Sequence, residues 1–247
     1  MEKIISSFIV LIISLIVFSL ILTSSIQNPT TVEIIKTQKI ILTNYSFPTV
    51  YLKIPAVDNE GNGIVTKLKV EAKPGEGRTL VNIDQLLFWV DTQHSIRLAK
   101  KVAENITGIN LSNIDLFYAI ETNASVIEGP SAGAAITVAT IAVIENKSVN
   151  ESVMITGTIN SDGSIGPVGE VLAKAKAAKD VGATLFLVPL GQGVQTYYEP
   201  VQTCQKFGFI TYCTTEYKPN RIDVGKEAKI EIKEVSNIKE ALNYFLL

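Results

Sequence analysis

Histidine is nearly missing from this chain. One residue, His94, serves all 247 positions, and cysteine occurs only twice, at Cys204 and Cys213. Together they cannot furnish the four thiolate and imidazole ligands of an ordinary structural zinc site, and no metal or other cofactor is expected. The same scarcity limits catalysis. Gly129-x-Ser131-x-Gly133 fits a nucleophile elbow, but that arrangement needs a histidine after the serine, and His94 precedes it. A His94, Asp115, Ser131 order can be drawn; nothing around those residues supports it, and His94 sits in a helix-like stretch where a surface role fits better. No Gly-x-x-x-x-Gly-Lys-Ser/Thr occurs, so nothing in these residues is built to cradle ATP phosphates. Net charge is −2 without a basic cluster, which argues against nucleic acid as a partner.

One long apolar run is present. Residues 4–23 hold only serines and one threonine among apolar side chains. At ~1.5 Å per helical residue they span a hydrocarbon layer of ~30 Å. Lys3 precedes the run, which orients the amino terminus inward. Its length exceeds the ~7–15-residue core of a cleaved signal. The expectation is an uncleaved signal anchor over 1–25; a signal cleaved near Ser24-Ser25 is the alternative. Residues 26–47, with breakers at Asn28-Pro29 and Phe47-Pro48, read as a spacer. Six Asn-x-Ser/Thr sites, at Asn44, Asn105, Asn110, Asn123, Asn146 and Asn150, agree with an extracytoplasmic location. So does the cysteine pair, which flanks a hairpin-like Phe207-Gly208-Phe209 and is a candidate disulfide.

From Val50 the pattern is that of a mixed α+β domain. Val50 to Ile54 and Ile64 to Ala72 alternate as paired strands. Ile83 to Ile106 reads as one helix, with a break near Asp91 and with Leu86, Leu87, Val90, Ile96, Leu98, Val102 and Ala103 inward. Asp115 to Ile120 is a strand and Ala132 to Glu145 a buried helix. Val153 to Ile159 and Gly163 to Val168 pair about Asn160-Ser161-Asp162-Gly163. Val171 to Val181 is a helix closed by Gly182, and Leu185 to Pro189 a strand. Lys229 to Val235 and Asn237 to Leu247 give a last strand and helix, with Ser236 as its cap.

Two stretches carry chemistry. Glu128-Gly129-Pro130-Ser131-Ala132-Gly133 places Ser131 at the start of the buried helix, where free amides and the helix dipole suit a developing oxyanion. The competing reading is an ordinary helix cap. Lys174 lies on an apolar, alanine-rich helix, and burial disfavours its charged form. Its competing reading is a solvated lysine beside Lys176 and Lys179. Ser236-x-x-Lys239 also occurs, but the companion motifs of penicillin-binding enzymes do not.

Taken together, the two stretches resemble the proteolytic domain of the Lon family of Ser-Lys peptidases. Glu128 to Gly133 matches the family's serine signature. Met154 to Ile159 and Gly163 to Gly169 match the run before its catalytic lysine, and Lys174 falls where that lysine falls. Weaker likeness runs from Val70-Glu71-Ala72-Lys73-Pro74-Gly75-Glu76-Gly77 to the final Ile238-Lys239-Glu240-Ala241-Leu242. The resemblance implies an α+β Lon proteolytic-domain fold (ribosomal protein S5 domain 2-like) over 48–247, with 191–226 as an insertion. It implies Ser131 as nucleophile and Lys174 as general base. Thr156 would hold the lysine through its hydroxyl, Glu128 would orient the lysine or shape the substrate edge, and the backbone around Gly129 and Ala132 would line the site. Two departures stand out. Glu170 stands where the family has a second glycine, and Leu172-Ala173 replace a charged pair. A carboxylate at 170 would favour a protonated Lys174.

The expected activity is that of an ATP-independent, membrane-anchored serine endopeptidase acting on unfolded or flexible polypeptides. By resemblance it assembles as a ring of identical subunits. An inactive cell-surface binding or scaffold domain is the alternative, and a protein that cleaves its own tether is a third reading.

Overall fold

The computed structural model describes residues 48–83, 90–121 and 129–247. Its first layer is a four-stranded sheet in the order β1-β2-β4-β3, from β1 (Thr49–Val57), β2 (Gly63–Pro74), β3 (Thr79–Val81) and β4 (Ile114–Glu121). β1 alternates exposed and buried residues through Ile54, so Val50, Leu52 and Ile54 point inward. The outer face is charged: Lys69 and Lys73 flank Glu71, and Lys67 sits over the Tyr51 ring at 4.1 Å.

Against the inner face lies α2 (Gly133–Ile144), with α1 (Val90–Thr107) beyond it. α2 has no polar face. All its residues but Ile144 are buried, and its small side chains let neighbours approach closely. Its hydroxyls are satisfied internally: Thr137 donates to the Gly133 carbonyl at 2.8 Å and Thr140 to that of Ile136 at 2.7 Å.

A second layer is the parallel sheet β11-β8-β5, from β5 (Val153–Ile155), β8 (Leu185–Pro189) and β11 (Glu231–Val235). Helix α3 (Val171–Asp180) packs on β1, β2 and β8, and α4 (Val224–Ala228) packs on α3. The last helix, α5 (Ile238–Phe245), buries Ile238, Ala241 and Phe245. A short hairpin joins β6 (Thr158–Ile159) to β7 (Ile165–Gly166), and a long one joins β9 (Val194–Phe207) to β10 (Ile210–Asp223). Cys204 and Cys213 face each other across it in a disulfide. Residues Ser46–Leu247 form one unit.

Several expectations need correction. The apolar stretch Val153 to Ile159 is not one strand. It divides at Thr156-Gly157, with β5 joining the parallel sheet and β6 the hairpin. The cause is tertiary: the Gly157 amide donates to the Ser131 carbonyl and the Thr156 amide to that of Leu187, which pulls the chain out of line. Val90 is 72% exposed rather than inward. The cap of α5 is Asn237, whose side chain accepts from the Glu240 amide, while Ser236 donates its hydroxyl to the Glu240 carboxylate. That bond gives Ser236 a structural role.

Among the described residues no helix is long and apolar enough to cross a membrane. The apolar run 4–23 lies outside them, as do Leu86, Leu87, Glu128, Asn44 and Asn123. Three of the other glycosylation-type asparagines have local work. Asn110 caps a 3-10 turn, Asn150 accepts from Ser152, and Asn146 takes a left-handed conformation.

Candidate active site

Ser131 stands in a 3-10 turn, Pro130–Ala132, that leads directly into α2. Gly129 opens the turn at φ 94°, ψ 162°, a region that disfavours any side chain. Pro130 follows as the first turn residue, where its missing N–H costs nothing. Among the described residues no side-chain hydrogen bond caps the turn, and its leading amides are the kind of donor a helix start offers to an acceptor.

The turn is fastened to the strand break. The Gly157 amide donates to the Ser131 carbonyl at 2.9 Å, and the Ala134 amide donates to the Gly157 carbonyl at 3.0 Å. The buried Thr156 hydroxyl donates to the Ser131 carbonyl at 3.4 Å. Thr156 thus holds the serine turn, where the resemblance had it holding the lysine. Gly133 makes the close fit possible: a Cβ there would stand 2.9 Å from the Ile159 amide nitrogen and 2.8 Å from Ile159 Cγ2. Ala132 completes the turn, half-buried.

Lys174 lies on the inner face of α3 and is 4% exposed. Its buried helix neighbours are Val171, Ala175, Ala177 and Ala178. Its amine donates to the Gly169 carbonyl at 3.0 Å. Burial pushes the amine below its ordinary pKa, and the Glu170 carboxylate pulls it up by less. Desolvation therefore outweighs the departure at position 170. Glu170 itself is exposed and sits at φ 56°, ψ 36°, a left-handed conformation suited to glycine. No hydrogen bond joins the Ser131 hydroxyl to the Lys174 amine. The elements carrying the two residues share a support, since both the serine turn and α3 contact β1.

One positioning residue had no signal in the sequence. Gln192 grips the backbone of Val168 at both ends, accepting from its amide at 2.9 Å and donating to its carbonyl at 2.7 Å. That grip fixes the segment whose next carbonyl, at Gly169, receives the lysine. The contact spans 24 residues, beyond the reach of any local pattern.

His94 is exposed on α1. Asp115 is fully engaged elsewhere: it accepts from the amides of Glu76 and Arg78 and twice from the Arg78 guanidinium. Those bonds hold its carboxyl down to about 2. Asp115 therefore closes the turn between β2 and β3 and orients no histidine.

Comparison with known proteins finds similarity over the stretch that holds both residues. Residues 92–204 match the Lon protease (S16) C-terminal proteolytic domain. The chain is 33% identical over 131 residues to an archaeal Lon protease from Thermoplasma volcanium, covering 53% of this chain and 20% of that protein. An archaeal Lon protease from Archaeoglobus fulgidus is 26% identical over 197 residues, covering 77% of this chain and 27% of its own length. Lon protease 2 of Bacillus subtilis is 30% identical over 112 residues, covering 41% and 20%. The chain thus spans about a fifth to a quarter of the relatives it matches. Ser131 and Lys174 both fall inside the matched stretch, which is similar to the proteolytic domain of the Lon (S16) family.

Proposed function

We propose that the domain is a serine endopeptidase in which Ser131 attacks the scissile carbonyl and Lys174 is the general base. One observation carries the reading: a lysine amine kept out of water, with its pKa pushed below the ordinary value, on α3, which rests on the same strand β1 as the serine turn. A charged amine cannot accept a proton, and burial is what favours the neutral one.

In the proposed cycle the amine leaves the Gly169 carbonyl and takes the Ser131 hydroxyl proton as the oxygen attacks. Amides near Ser131 and Ala132 receive the oxyanion. The Lys174 ammonium then protonates the leaving amine, the C–N bond breaks and an acyl-enzyme remains. Water, activated by the same amine, attacks the ester and restores the serine. The uncapped turn and the side-chain-free Gly129 support this, because both leave room and donors for a substrate carbonyl.

The same proposal extends to the setting. The apolar run at 4–23 supports membrane anchoring, and the cross-strand disulfide supports an oxidising, extracytoplasmic surrounding. Substrates are then short, unfolded or flexible polypeptides, taken without ATP, and the active form is a homo-oligomer.

A second reading, an inactive binding domain, is favoured by the Lys174 amine resting on Gly169 instead of on Ser131. A serine-directed acylating probe, followed by mass spectrometry of a digested peptide mixture, decides between them. The peptidase reading requires covalent labelling at Ser131 and products that vanish in Ser131→Ala. An intact, unlabelled domain, or cleavage unchanged in Ser131→Ala, leaves the binding reading.

A further inference from the structure

The β9–β10 hairpin is unlike the rest of the domain. Each strand has 14 residues, so the hairpin reaches on the order of 45 Å. Outward from Pro200 and Tyr217 its residues are exposed on both faces, with Val201 alone half-buried. A two-stranded ribbon without a covered face is marginally stable in water. Its outer end nevertheless concentrates apolar side chains. Phe207 and Ile210 face each other across the final pair, Tyr212 lies on the same face two positions back, and Phe209 occupies the turn. All four are exposed, Phe209 completely.

Charge divides the hairpin in the same way. From Pro200 to Thr215 there is no acidic residue and one cation, Lys206. Glu199, Lys218, Arg221 and Asp223 lie in the inner half, and Glu216, opposite Val201, marks the boundary. The Cys204–Cys213 disulfide crosses the ladder three pairs from the end and prevents the outer strands from splaying.

We propose that the hairpin end inserts into the surface of a lipid bilayer. An apolar end, a tyrosine just behind it and a lone cation match the layering of a bilayer interface, where aromatic rings sit at headgroup depth and cations meet anionic lipid. A protein partner gripping the ribbon by its faces has no comparable reason to leave everything beyond the Val201–Glu216 pair free of acid. Reach is also sufficient. Residues 24–47, however they fold, span at most about 85 Å, so a domain attached to the apolar run at 4–23 stays within range of the bilayer. The inference leans on the anchoring reading for proximity alone. The hairpin becomes a second membrane contact, and it fixes the orientation of the domain relative to the lipid.

The test uses the full chain reconstituted into vesicles of phosphatidylcholine and phosphatidylglycerol. Phe209→Trp reports the hairpin end and Thr203→Trp the middle of the ribbon, with the parent protein, whose one tryptophan is Trp89, as baseline. Brominated lipids should at least halve the emission added by Phe209→Trp and shift it to the blue, while the Thr203→Trp signal is unchanged. A blue shift that grows with protein concentration but resists brominated lipid means that a second copy covers the end, and overturns the proposal. An unshifted, unquenched Phe209→Trp overturns it as well. Alkaline carbonate extraction of the parent separates this from the anchoring reading: a chain that resists extraction with an unquenched Phe209→Trp keeps its anchor and loses the hairpin contact. An extractable chain with a quenched Phe209→Trp gives the reverse.

Discussion

Ser131 and Lys174 are held by opposite means. The serine turn is fastened by directional bonds, with Gly157, Thr156 and Ala134 all tied to it, and by a glycine that admits the Ile159 backbone. Among the described residues the lysine amine makes a single hydrogen bond, to Gly169, and is otherwise set by exclusion of water. The turn supplies position; the helix supplies an environment. Disturbing geometry should therefore damage the first, and disturbing polarity should retune the second.

The largest effect is expected at Gly133. It begins α2 with an ordinary helical φ of −55°, so propensity alone predicts that Gly133→Ala stabilises by about 1 kcal/mol. Packing predicts the opposite, because the new Cβ meets the Ile159 backbone at 2.9 Å. Overpacking costs ~1–3 kcal/mol, and a shift of ~1 Å at a reacting group costs ~100-fold in rate. Gly133→Ala should lower Tm and reduce kcat by about two orders of magnitude, read by calorimetry and peptide cleavage. A more stable, fully active variant would show that the turn has slack and that the contrast with α3 is wrong.

Lys174→Met addresses the other side. Activity should fall ~10³-fold or more, yet the fold should gain. Because the folded-state pKa of Lys174 lies below its ordinary 10.5, its neutral form is stabilising above that value, and stability is lost as pH falls through the depressed pKa. Methionine carries no such penalty. Its advantage should be absent above about pH 10.5 and grow as pH falls, and a relief of ~1 kcal/mol raises Tm by ~2–4 °C in a domain of this size. Thermal melts of both proteins across pH check the sign. Equal losses at every pH would mean that the buried amine is not strained by burial.

These contrasts also mark what the sequence made legible. Ser131 and Lys174 stood out as candidates because each lies in a short, local pattern of glycine, proline or alanine. β1, β4 and α3 were readable because each buries a periodic face, and α2 and β8 because each is an unbroken apolar run. The break at Thr156-Gly157 was not, since Val153 to Ile159 has the composition of one strand and only the bonds to Ser131 and Leu187 divide it. Gln192 was invisible for the same reason. Ser236 and Asn237 are adjacent residues of equal capping ability, and side-chain geometry alone chose Asn237.

The smallest effect is expected at Glu170, where the two regimes meet in one residue. Its left-handed backbone is a matter of geometry, costing ~1 kcal/mol for a side chain other than glycine. Its carboxylate is a matter of polarity, raising the pKa of Lys174 against the pull of burial. Glu170→Gly removes both. Relief of the backbone is partly offset by the freer unfolded chain, so the net gain should be roughly 0.5 kcal/mol. Loss of the carboxylate should move the rising limb of the pH–rate profile to lower pH, because a less stabilised ammonium gives up its proton sooner. Glu170→Gln separates the two, keeping the side chain on the left-handed backbone while removing its charge. It should shift the limb like the glycine variant and leave Tm close to that of the parent. If the limb moves in neither variant, the group titrating in catalysis is not the amine of Lys174, and the pairing of a fixed serine with a tunable lysine loses its second half.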